Sequence, residues 1–143
     1  MTRRFCQIII LGLLFSTFTS CKYLSFYRSI KGQQLQFGSG GGFTGLVTEY
    51  TLNDKGELFM KTGLAAAPTL LRTLSKSELK SVFKQVKKLG TDSKSVNKPG
   101  NMTYFLKLSG NKEPFEVKWS DPGSAPPELK SLYEQLVKLT LQR

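Results

Sequence analysis

The chain has 143 residues, with 21 Lys and Arg against 10 Asp and Glu, two cysteines and no histidine. That length suits one domain with a real core. The missing histidine excludes Ser-His-Asp and Cys-His nucleophilic sites and, with so few cysteines, the usual zinc sites, so an enzyme would have to work with carboxylates, Lys, Ser or Tyr. The net charge of +11 fits nucleic acid, a membrane surface, an acidic partner, or plain solubility from scattered lysines.

The N-terminus reads as an export signal. Arg3 and Arg4 are a short basic region, and Ile8 to Phe15 is an apolar run too short to span a bilayer, which takes ~20 residues. Phe18-Thr19-Ser20-Cys21 follows. This resembles the bacterial lipoprotein signal, in which small residues lead to a cysteine. Phe18 departs from its usual Leu. The resemblance implies that Cys21 receives a diacylglyceryl thioether, that residues 1–20 are removed, and that the new amino terminus is acylated. The alternative is an ordinary signal peptide that leaves Cys21 as a free thiol. With two or more acyl chains the anchor is stable. The protein is then expected at the cell membrane or outer membrane, facing the periplasm or exterior, and nucleic acid is not an expected partner. Loss of Arg3 and Arg4 leaves 19 basic and 10 acidic residues in the mature chain. Those charges could also hold the domain near anionic headgroups, at about 1 kcal/mol per Lys or Arg.

Residues 21–34 are assigned as a tether. Tyr23, Phe26 and Tyr27 stand there among Lys, Arg and Ser, and suit the lipid–water interface or, equally, a short helix packed on the core. The domain is expected over 35–143.

Leu35-Gln36-Phe37 reads as a short strand. The glycine-rich stretch Gly38 to Gly42 reads as a hairpin loop or bulge, or as a loop that lets another backbone approach. Phe43 to Leu52 is predicted as a strand with Leu46, Tyr50 and Leu52 on one face. It turns at Asn53-Asp54-Lys55-Gly56 and returns over Glu57 to Thr62. Thr69 to Arg72 offers a further strand. Ser75 with Glu78 has capping-box spacing, and Leu74 and Leu79 flank it as a hydrophobic staple. Leu79, Val82, Phe83, Val86 and Leu89 form the buried stripe of a helix expected to end at Gly90. Thr91 to Asn101 is read as a polar loop. Met102 to Leu108 and Phe115 to Trp119 form a second hairpin, with Trp119 in the core. Glu128 to Leu141 is a second helix, with Pro127 in its first turn. The fold class is therefore α+β: an antiparallel sheet of about four to five strands built from two hairpins, with two amphipathic helices on one face.

Gly40, Gly42 and Gly45 satisfy G-x-G-x-x-G, but here the motif opens a strand rather than a helix, so no pyrophosphate site is expected. Glu116 and Asp121 give no sign of a catalytic pair, and Glu49 and Glu57 could face each other across the first hairpin. The protein is read as no enzyme, with no cofactor and no metal.

Gly41-Gly42-Phe43-Thr44-Gly45, followed by a helix, a strand pair and the Ala125 to Leu129 helix start, resembles emfourin. That family contains small proteinaceous inhibitors of thermolysin-like metalloproteases. The resemblance implies a binding role for Gly41, Gly42, Phe43 and Gly45, with Gly40 beside them. A protease or another envelope protein is then the expected partner. The rival expectation is a structural or assembly lipoprotein whose basic surface binds anionic envelope components.

Overall fold

A computed structural model describes residues 32–64, 66–92, 97–120 and 124–141. Its central element is β1 (Gln34–Gly41), which pairs antiparallel with β2 (Leu46–Asn53) on one side and with β6 (Met102–Ser109) on the other. The remaining strands are β3 (Glu57–Thr62), β4 (Thr69–Thr73), β5 (Asn97–Lys98) and β7 (Phe115–Trp119). The helices are α1 (Lys76–Asp92) and α2 (Pro127–Leu141). The sheet order is β4-β3-β2-β1-β6-β7-β5.

The class is α+β, and both expected hairpins form: β2 with β3, and β6 with β7. Two expectations are corrected, and the further strand offered by Thr69 to Arg72 forms. The sheet has seven strands among the described residues, and it is mixed, because the two-residue β5 pairs parallel with β7. Thr69–Thr73 supplies β4, whose register shifts by one residue beside Leu58 and Phe59. Gly38, Gly40 and Gly41 lie inside the central strand rather than in a loop. Glycine weakens a strand by its backbone entropy, but eight cross-strand pairs on each side hold β1 in place.

Alternation then sets the core. Leu35 lies opposite Leu52 and Leu108, and Phe37 opposite Tyr50 and Leu106. These residues join Val82, Val86 and Leu89 of α1 and Leu129, Leu132 and Leu136 of α2 in one buried cluster. Each large apolar side chain so buried contributes ~1.5–3 kcal/mol. Trp119 is buried as expected, in an aromatic group where Tyr133 meets Phe37, Tyr104 and Trp119 edge-on.

Local signals decide the element ends. The Ser75 backbone N–H donates to Glu78 Oε2 at 2.8 Å, and the Glu78 N–H donates back to Ser75 Oγ at 3.3 Å, completing the capping box. Asn53 Oδ1 accepts from the backbone N–H groups of Lys55 and Glu57, closing the β2–β3 turn, and Gly56 takes the left-handed φ of +87°. Helix α1 runs two residues past Gly90, to Asp92, because one glycine costs a helix only ~1 kcal/mol. No helix among the described residues is long and apolar enough to cross a membrane.

Candidate functional site: the β1–β2 turn

The strand pairing places Gly40 opposite Val47 and Thr103, and Gly41 opposite Leu46 and Met102. Their backbones are thus engaged by neighbouring strands on both sides. The chain leaves the ladder only at Gly42, whose N–H donates to the Asn101 carbonyl at 2.7 Å. It reverses through Phe43 and Thr44, and Gly45 donates to the Gly42 carbonyl at 3.3 Å.

Glycine is needed at both edges of the turn. Gly41 has φ +105°, and a Cβ there would run into the Asn101 carbonyl. Gly45 has φ +61° in open space, so its requirement is conformational and not steric. Between them the Phe43 side chain is fully exposed, at 107% of its reference area.

Other apolar side chains gather at the same end of the sheet. Leu46 begins β2 and Met102 begins β6, and both are exposed. Leu64, 94% exposed, sits in the β3–β4 connection, which the Gly63 N–H ties to the Val47 carbonyl at 2.8 Å. The sequence puts Leu46 on one strand face with Tyr50 and Leu52, starts a strand at Met102, and assigns Leu64 to no element. The available signal was position, since apolar residues at a strand's outer end have no helix above them.

The carboxylates are arranged for structure. Glu49 lies opposite Lys61 and not Glu57, while Glu57 accepts from Asn53 Nδ2 at 2.7 Å. The expected facing of Glu49 and Glu57 is therefore corrected. The cause is register: Glu49 sits towards the outer end of the β2–β3 ladder, four residues from Asn53 and its turn. Glu116 is held below the usual carboxylate range by its hydrogen bond to Lys118, 2.9 Å away. Glu78 is likewise lowered, first by the Ser75 hydroxyl and backbone N–H and then by Arg72. Neither shift is the upward one that a general acid needs near neutral pH. No group of three His, Cys, Asp or Glu able to hold a metal occurs among the described residues. Cys21 and Asp121 lie outside the described residues.

No protein-family model matches the chain, and no curated protein is significantly similar to it.

Proposed function

We propose that this protein is a lipid-anchored, non-enzymatic binding module of the cell envelope, and that it grips a protein partner with the Phe43 turn. One observation carries the reading: a phenylalanine is held fully exposed at the apex of a turn fixed by glycines and a backbone bond to Asn101. Exposing a large aromatic ring costs solvation free energy unless a partner covers it, and Leu46, Leu64 and Met102 extend the apolar surface around it. The turn is already ordered, so little conformational entropy is lost on binding.

In its sharpest form the partner is a thermolysin-like metalloprotease, and the turn enters its cleft. The backbone contacts would come from Gly42 to Gly45, since Gly40 and Gly41 are committed to β2 and β6. Acylated Cys21 would hold the module at the membrane. Residues 21–143 carrying Cys21→Ala should slow peptide hydrolysis by a thermolysin-type protease at micromolar protein, and Phe43→Ala should abolish the effect. Unchanged hydrolysis removes the protease from the proposal. A pull-down from native envelopes in which wild type and Phe43→Ala retain the same proteins removes the turn altogether.

The second reading, a structural lipoprotein bound to anionic envelope components, is favoured by one feature of α1. Lys76, Lys80, Lys84, Lys87 and Lys88 are all exposed, while Glu78, the acid of its first turn, pairs with Arg72 at 3.1 Å. Sedimentation of the unlipidated protein with anionic liposomes at low and high salt tests it. Absence of binding at both salts removes it.

A further inference from the structure

The Gly32 end of the sheet, away from the Phe43 turn, holds a pocket of about 520 Å³. Leu108 and Phe115, which lie opposite each other in the β6–β7 ladder, give it an apolar floor. Lys87 comes to it from α1, and Asn111, Lys112 and Glu113 come from the β6–β7 turn. Gln33 joins them from just before β1. A close backbone approach brings it there. Gly110 has φ +73°, and a Cβ on it would run into the Gly32 carbonyl, so the entry to β1 and the β6–β7 turn meet backbone to backbone.

Two atoms of this pocket lack what their chemistry requires. Gln33 Nε2 and Asn111 Oδ1 are buried, and neither has a hydrogen-bond partner among the described residues. No other buried side-chain nitrogen or oxygen among the described residues is left so. Folded proteins rarely keep an unpaired buried polar group without a use for it. As the side chains stand, both atoms are closed to solvent, so bulk water does not satisfy them. The last side-chain bond of a carboxamide turns easily, and a small rotation aims each group into the pocket. Gln33 then offers a donor and Asn111 an acceptor. The rim adds charge of both signs. Lys87, Lys112 and Glu113 are exposed, and none has an ion pair among the described residues.

We propose that this pocket binds an acidic amino acid. The two carboxylates of the ligand meet Lys87, Lys112 and the Gln33 N–H, and its ammonium meets Asn111 Oδ1 and Glu113. Charge-assisted hydrogen bonds of this kind are the strong ones. The match is in kind and in sign, because two lysines and one carboxylate call for two acid groups and one cation. Inorganic phosphate would leave Asn111 Oδ1 unpaired and would face Glu113. A plain amine would face the lysines. The volume lies within the range of small-molecule pockets, about 300–1,000 Å³. The site stands at the other end of β1 from Phe43, so it depends neither on the turn's partner nor on acylation of Cys21.

NMR titration with L-glutamate tests the proposal on folded residues 21–143 carrying Cys21→Ser, which contain every described element. The side-chain amide resonances of Gln33 and Asn111 should move together and saturate at millimolar ligand. Glutarate keeps both carboxylates and lacks the ammonium, and should bind roughly tenfold or more weakly. Asn111→Leu is close in shape and removes the orphaned acceptor. It should abolish glutamate binding while thermal unfolding stays at or above wild type, because an unpaired buried polar atom is gone. Lys112→Ala changes an exposed position, so it carries the test should Asn111→Leu disturb the turn, and it should weaken binding several-fold with Tm unchanged. Resonances that ignore glutamate or never saturate, glutarate bound as tightly as glutamate, or binding unchanged in Lys112→Ala each overturn the proposal.

Discussion

Gly38→Ala probes whether the glycines of β1 serve the scaffold or the contact. Gly38 is buried at the middle of the central strand, opposite Glu49 on β2 and Phe105 on β6. A Cβ there would press on the Thr48 carbonyl and come within 3.1 Å of both Glu49 Cα and Phe105 Cζ. The ring can move aside, but the backbone of β2 cannot without opening the β1–β2 ladder. Overpacking of this kind costs about 1–3 kcal/mol, against a gain of about 0.5–1 kcal/mol from replacing glycine within a strand. The net expectation is a loss of about 1–2 kcal/mol. For a domain of this size that lowers Tm by roughly 5–10 °C. Thermal unfolding of unlipidated residues 21–143, followed by circular dichroism, reads it directly. At temperatures where the variant is still folded, partner retention should stay at the wild-type level. A Tm equal to or above wild type would refute the steric argument. A Tm loss accompanied by loss of partner in the folded variant would refute the separation of scaffold from contact.

The complementary change is Phe43→Ser, which should leave Tm within about 1 °C, since an exposed side chain off the core carries little stability, yet should abolish partner retention in the envelope pull-down. Glu78→Gln should flatten part of the acid limb of the stability profile. The folded carboxyl sits below its ordinary value of 4.5, so its contribution is present above that pH and is lost as pH falls through the lowered value. Ser75→Ala removes the cap hydroxyl from the same box and should cost about 1 kcal/mol in chemical denaturation. Burial, opposed by a hydrogen bond with Ser39, pushes the Tyr133 phenol up to about 12. The unfolded chain ionises near 10.0, so the wild type should lose stability as pH rises from there towards 12, and Tyr133→Phe should lose less over the same window.

What was legible in the sequence follows from range. The Ser75–Glu78 box, the Asn53–Gly56 turn and the stripes of both helices are written within a few residues, and each forms as read. Strand β1 is different. Its glycines argue locally for a loop, and only pairing with Val47 across the turn and with Thr103 far along the chain makes Gly40 part of a strand. Strand β5 is two residues long and exists only because Lys118 and Trp119 pass beside it. The turn was partly visible, since Gly41-Gly42-Phe43-Thr44-Gly45 announces an unusual backbone around one aromatic. Its apolar neighbours Leu64 and Met102 come from the β3–β4 connection and from the start of β6, and the sheet order alone brings them to that end.

That order gives β1 a mechanical role. The described chain enters at Gly32 at one end of the sheet, and the Phe43 turn projects from the other, with eight residues of β1 spanning the ~26 Å between. A strand so rich in glycine would be a poor strut if it lay at an edge. Flanked by β2 and β6 along its whole length, it cannot bend without breaking pairs on both sides at once. Glycine then brings closeness rather than looseness: at Gly38 it lets the Thr48 carbonyl and the Phe105 ring approach the backbone.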